Sequence, residues 1–249
     1  MPRYSFYQVD VFTNQPFAGN PLAIFPDADG LDDAQMQNIA REMNLSETTF
    51  VCAPTQPDAD FKVRIFTPGR ELPFAGHPVI GTHWMLAHLG RVPLREPVTT
   101  VRFELGVGVR PAALHVHNER VTHVVMDHQR PEFAATASPE QVERLGRALG
   151  LSPGAIESSG WPVQVVSSGI RQLFVPVRAL AEVQALSPQQ QDAAALSHLM
   201  AELDPEQQCN AAVMVLTLET VEADATVHTR MFAPDLGIGE DPATGSASG

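Results

Sequence analysis

The sequence predicts an α+β fold built from two similar halves, and three observations carry that reading. Short β-branched or aromatic runs are mixed with amphipathic helical segments. Four of the runs follow one another with short turns, which is antiparallel meander spacing rather than strand-helix alternation. An internal repeat links the first half to the second.

The elements follow in order. Tyr4 to Phe12 reads as a strand, and Asp32 to Met43 as a helix with Met36, Ile39, Ala40 and Met43 at helical spacing. Phe50, Val51 and Cys52 begin a strand buried on both sides, and Phe61 to Phe66 is another. Val79 to Leu89 is an apolar helix closed by Gly90. Strands at Val98 to Phe103, Val107 to Arg110, Leu114 to His117 and Val121 to Met126 form the meander. Helices at Glu140 to Leu149, opened by Pro139 and closed by Gly150, and at Gln190 to Leu203 complete the reading. No long linker appears, so a tight boundary is expected near Asn118, giving domains 1–118 and 119–249.

In the repeat, Arg64-Ile-Phe-Thr-Pro68 returns as Arg230-Met-Phe-Ala-Pro234, an offset of 166 residues. Gly76-His-Pro-Val-Ile-Gly-Thr82 has its counterpart in Glu240-Asp-Pro-Ala-Thr-Gly-Ser246. Upstream, the same offset sets Asn44 to Val51 opposite Asn210 to Thr217, so Glu47 is matched by Val213. A duplicated scaffold whose halves differ in the carboxylate implies an asymmetric site. His77 is followed by 40 residues of helix and strand to His117, whereas only eight follow Asp241. The chain is therefore expected to be a fragment lacking about 32 residues, a helix among them. Val213, Val215 and Val227 are expected to be left exposed without it.

Composition narrows the function. Sixteen Lys and Arg against 29 Asp and Glu leave a net charge of -13, which disfavours nucleic-acid binding. No apolar run reaches the roughly 20 residues of a membrane span, and no long apolar stretch follows Arg3. The reading is a cytoplasmic protein with no targeting segment. Cys52 and Cys209 are too few for a disulfide scaffold and lie in no ligand cluster. His115, His117, His123 and His128 lack a convincing third ligand, so no metal is expected. Gly106-Val-Gly108 is a turn rather than a dinucleotide fingerprint, and Ser167-Ser168-Gly169 is no nucleophile elbow.

Both repeated motifs set a Pro near a helix start, where free amides attract anions, so two such starts facing each other would cradle a carboxylate. Ordinary capping by His77 and Asp241 is the alternative. Glu47 stands where a helix passes into a buried strand. Enclosed, it would have a raised pKa and serve as a general acid/base; otherwise it is an exposed loop residue or a partner of Arg41.

Tyr7-Gln-Val-Asp-Val-Phe-Thr13, Gly19-Asn-Pro-Leu-Ala23, Ser46-Glu-Thr-Thr-Phe50, Phe66-Thr-Pro with Glu71, Gly76-His-Pro and Glu240-Asp-Pro-Ala-Thr-Gly-Ser-Ala247 run in order over nearly the whole chain. Together they resemble the phenazine-biosynthesis PhzF-like family. The resemblance implies a diaminopimelate-epimerase-type fold, with two pseudo-symmetric domains that are each a bent, mostly antiparallel β-sheet wrapped around a central helix; it also implies a cleft site, a homodimer and no cofactor. It implies a proton-shifting isomerase acting on a small carboxylate-bearing metabolite, trans-2,3-dihydro-3-hydroxyanthranilate or a related compound. Carried over residue by residue, Glu47 matches the catalytic carboxylate, and His77 and Asp241 the polar pair acting on the substrate. Ser46, Gly76, Gly245 and Ser246 match the substrate-binding groups. A two-base racemase or epimerase would need opposed thiols at the helix starts, and neither start carries one. A non-catalytic small-molecule binding protein is the other class in play.

Overall fold

A computed structural model describes residues 3–127, 130–168, 170–205, 212–236 and 238–248. The chain divides into two compact units, Met1–Gln129 with Thr244–Gly249, and Arg130–Ala243. No helix among the described residues is long and apolar enough to cross a membrane.

The first unit opens with β1 (Tyr7–Val11) and β2 (Asn20–Phe25), an antiparallel pair. Helix α1 (Asp33–Met43) follows, started by a capping box in which Asp32 and Gln35 satisfy each other's backbone amides. Asn44, in the left-handed conformation, ends it and turns the chain into β3 (Glu47–Cys52). β3 runs parallel to β2 and antiparallel to β4 (Phe61–Phe66), which also pairs with the short β5 (Glu71–Leu72). Helix α2 (Gly76–His88) comes next, then β6 (Val98–Leu105), β7 (Gly108–His117) and β8 (Arg120–Met126). The sheet order is β1-β2-β3-β4-β6-β7-β8. Because α2 packs against β1, β2 and β3 at one end of this order and β7 and β8 at the other, the sheet curls around it. That position explains why α2 is apolar on most sides, with ten buried residues rather than one buried stripe.

The expected pair of strands at Val107 to Arg110 and Leu114 to His117 is one continuous strand. Pro111 is tolerated inside it because its partner Arg102 directs its own N–H and C=O away, to Asp60. The boundary expected near Asn118 falls instead after Gln129. Asn118 and Glu119 are the left-handed turn residues of the β7-β8 hairpin, and β8 pairs with β7 in the same sheet.

The second unit carries β9 (Glu132–Thr136), α3 (Pro139–Leu149), β10 (Gln164–Ser167), β11 (Arg171–Pro176), α4 (Leu180–Ala185), α5 (Ala193–Leu203), β12 (Val213–Thr217), β13 (His228–Ala233) and β14 (Ile238–Asp241). Its sheet order is β14-β13-β12-β11-β10-β9. Val165, Leu173, Val175, Val213, Val215 and Phe232 point to one face, where they form a core with Leu145 and Leu149 of α3, Val183 of α4 and Leu196, Leu199 and Met200 of α5. Val213 and Val215 are thus fully buried, contrary to the exposure expected of them, because these helices cover their face; Val227 is 43% exposed.

The repeat is real at the level of topology. β1-β2-α1-β3-β4-β5 corresponds to β10-β11-α4/α5-β12-β13-β14, with one parallel pairing, β2 to β3 and β11 to β12, at the same step. Asn210 and Cys209 lie outside the described residues.

Candidate active site

The first unit gathers several of the expected residues at one end of its sheet. β2 and β3 start side by side, with Leu22 opposite Glu47, and β1 ends where Val11 meets Asn20. Side chains alternate along β3, so Glu47 shares a face with Thr49, whose hydroxyl lies 2.9 Å from that of Thr82 in α2. Glu47 therefore points towards α2. Its Oε2 is 3.5 Å from Nε2 of His77, the second residue of that helix. Glu47 is 8% exposed and His77 4%, so neither the exposed-loop reading nor pairing with Arg41, which bonds Asn38, describes the carboxylate. Burial holds the His77 imidazole at about 3, well below its ordinary value, and the ring is neutral at pH 7.

Helix α2 starts without a side-chain cap: Ala75 precedes it in extended conformation. Against this start lies the Gly-Ser motif from the end of the chain. A Cβ added to Gly76 would stand 3.1 Å from Ser246 N and 3.3 Å from the carbonyl carbon of Gly245. One added to Gly245 would stand 2.7 Å from a ring carbon of Phe12 and 3.4 Å from His77 N. Glycine at both positions is what lets the two segments approach so closely. Thr244 to Ser248 forms a turn of helical type, with Ser248 N donating to Gly245 O at 3.2 Å and Ser248 Oγ to Thr244 O at 2.6 Å. The two motifs related by the repeat thus meet at Gly76, Gly245 and Ser246. Ser46, directly before Glu47, is buried at 9% exposure. Asp241 is the last residue of β14 in the second unit and is 7% exposed.

Asn20 belongs on the same rim and was given no role by the sequence reading. It is fully buried at the first position of β2, and the Gly19-Asn-Pro-Leu-Ala23 block was the available signal. By donor type, the adjoining Glu47 carboxylate and His77 imidazole are groups of the kind that ligate a cation. The strand histidines offer no such set: His115 and His123 stack at 4.1 Å across β7 and β8, and His128 lies outside the described residues, as do Cys209 and Gly169. Cys52 sits at the far end of β3 from Glu47, and burial pushes its thiol up, with Asp29 adding to the effect.

Residues 9–249 match the family described as phenazine biosynthesis-like protein. A trans-2,3-dihydro-3-hydroxyanthranilate isomerase of Pseudomonas chlororaphis is 40% identical over 244 residues, covering 97% of this chain and 76% of the relative. The solved structure of a Bacillus anthracis phenazine biosynthesis protein of the PhzF family superposes with a TM-score of 0.82 at 31% identity, over 98% of this chain and 77% of that one. A probable proline racemase from Agrobacterium radiobacter K84, at 16% identity and a TM-score of 0.56 over 86% of this chain and 68% of that one, shares the fold.

Proposed function

The chain belongs to the phenazine biosynthesis-like family and is a PhzF-like isomerase, and from that premise we propose that Glu47 is the single acid/base of a cofactor-independent proton shift on a small cyclic carboxylate. The observation that carries the proposal is a buried carboxylate 3.5 Å from a buried, neutral imidazole, beside an uncapped helix start.

In this mechanism the substrate carboxylate is held by the amides that open α2 at Gly76 and His77, with Gly245 and Ser246 lining the place. Glu47 takes a proton from one ring carbon. The electron pair of that C–H bond shifts through the conjugated ring, and Glu47 returns the proton to another carbon on the same face, so nothing is oxidised and no second base is required. A neutral His77 suits this role. An imidazolium at that distance would hold the carboxylate ionised and weaken it as a base, whereas a neutral ring can hydrogen-bond the substrate without doing so. Asp241, paired with His77 by the repeat, is assigned as the second polar group acting on the ring substituents, and Ser46 as a substrate-binding residue.

Trans-2,3-dihydro-3-hydroxyanthranilate or a related compound is the proposed substrate, on the strength of the 40% identical relative. A cytoplasmic homodimer is part of the same proposal, on the family's pattern. Inversion by two opposed thiols is disfavoured, since Gly76-His77-Pro78 and Glu240-Asp241-Pro242 carry none.

Glu47→Gln tests the assignment. It should bind the unreactive analogue 3-hydroxyanthranilate as wild type does while losing turnover by at least ~100-fold, the low end for a general acid/base. A variant of undiminished turnover sinks it.

A further inference from the structure

Resting on the site described above, we propose that Phe12 is a specificity-determining residue: its ring is the wall on which the ring of the substrate stacks while the substrate carboxylate sits at the start of α2. Phe12 directly follows β1 and has a φ of 65°, a backbone region uncommon for a bulky side chain. It is also 47% exposed, so core packing does not account for its position. What its ring touches is the site. Two of its ring carbons lie 2.7 and 3.1 Å from the point where a Cβ of Gly245 would stand, and His77 N lies 3.4 Å from that same point. An aromatic ring, partly open to solvent, therefore borders Gly245, which itself lies against Gly76 and the His77 amide at the helix start. A flat, unsaturated carboxylate is the chemistry such a border recognises, with anion to amide and ring to ring.

The loop is built to hold this position. Phe17 N donates to Asp10 Oδ2 at 2.8 Å, and Gln15 N to Thr13 Oγ1 at 3.0 Å. Gly19, at a φ of 68°, closes the loop where any Cβ would stand 2.1 Å from Val11 O. The same loop supplies its own control. Phe17 has nearly the same φ, 66°, but is wholly exposed, so it shares the conformation of Phe12 without bordering the site.

The test uses the full chain as Phe12→Ala, Phe12→Leu, Phe12→Tyr and Phe17→Ala. Binding of 3-hydroxyanthranilate is followed by calorimetry, and KM and kcat are measured on trans-2,3-dihydro-3-hydroxyanthranilate. The expected result for Phe12→Ala is a Kd and KM about tenfold higher, the upper end for an aromatic pair, with kcat changed less than about threefold. Phe12→Leu should fall between Phe12→Ala and wild type, Phe12→Tyr should restore binding, and Phe17→Ala should match wild type. If Phe12→Ala fails to fold, as read from its urea transition, the Leu and Tyr variants decide, since only one of them keeps the ring. Wild-type binding by Phe12→Leu, equal weakening by Phe17→Ala, or a wild-type protein that does not bind the analogue overturns the proposal. Full turnover by Glu47→Gln would instead overturn the acid/base assignment and leave these binding results standing.

Discussion

The two repeats solve the same local problem with nearly the same parts, and where they part company is where chemistry becomes possible. In the first, Arg64 grips Glu71 with two bonds of 2.8 and 2.6 Å and lies 5.1 Å from the ring centre of Phe66. In the second, Arg230 grips Glu240 with two bonds of 2.6 Å and lies 5.2 Å from that of Phe232. Each fork ties the fourth strand of its repeat, β4 or β13, to the short strand that follows, β5 or β14. The register is also shared, for Leu22 stands opposite Glu47 as Leu173 stands opposite Val213. Yet Glu47 faces α2 and its imidazole, whereas Val213 is fully buried under α3, α4 and α5. The same strand position is thus a buried carboxylate beside an imidazole in one copy and plain core in the other.

Exchanging the residues breaks the comparison most severely. Val213→Glu would bury a charge among valines and leucines with no partner, and should cost at least about 3 kcal/mol, read as a lowered urea midpoint or loss of folded protein. A variant as stable as wild type would mean that the second core is not closed at this position.

Acid should separate the copies next. His77 and His83, both in α2, are buried and held at about 3 and about 4. The unfolded chain takes up these protons near pH 6.5 and the folded chain does not, so stability falls as pH drops below about 6.5 towards 4. By pH 5 the loss should reach about 2 kcal/mol per histidine. Among the described residues of the second unit no histidine is buried. Urea midpoints at pH 7 and pH 5 should therefore differ, and His77→Asn should reduce the difference. An unchanged difference would place the acid sensitivity elsewhere.

The arginine forks should differ more modestly. Arg230 also donates to the carbonyls of Val183 and Leu186 at the end of α4, at 3.0 and 2.7 Å, while the extra partner of Arg64 is the exposed Asp33. Arg230→Ala should cost about 1.5 kcal/mol more than Arg64→Ala, because it leaves buried carbonyls unpaired. Equal losses in urea unfolding would show that the α4 contacts add nothing.

The smallest effect should be a symmetric one. Asp32→Ala and Ser138→Ala each remove a capping box, from α1 and α3, and each should cost about 1 kcal/mol by thermal unfolding. A large inequality would mean that one helix relies on its cap and the other on packing.

Much of this contrast could be read in the sequence, for identifiable reasons. Arg64-x-Phe66 and Arg230-x-Phe232 repeat because fork and ring are a local device, and local devices leave matching residues. The same offset sets Glu47 against Val213 and pairs the two glycine motifs that meet at Gly76 and Gly245. Less could be read where a role depends on distant residues. Phe12 looks like the last apolar residue of a strand, and only the approach of Gly245 makes it part of the site. Asn20 resembles a turn residue until the start of β2 encloses it. α4 is six residues long, too short for periodicity to reveal. The covering of Val213 and Val215 depended on where three helices pack, which alternation along one strand does not state.

The central claim is that one carboxylate moves one proton, and solvent labelling tests it most directly. With trans-2,3-dihydro-3-hydroxyanthranilate in deuterated water, the wild-type protein should place deuterium at the newly protonated carbon on one ring face only, in the fraction of turnovers in which the Glu47 carboxyl proton exchanges with solvent before its return, and Glu47→Gln should introduce none above the uncatalysed background. Deuterium on both faces, or undiminished labelling by Glu47→Gln, would contradict the account.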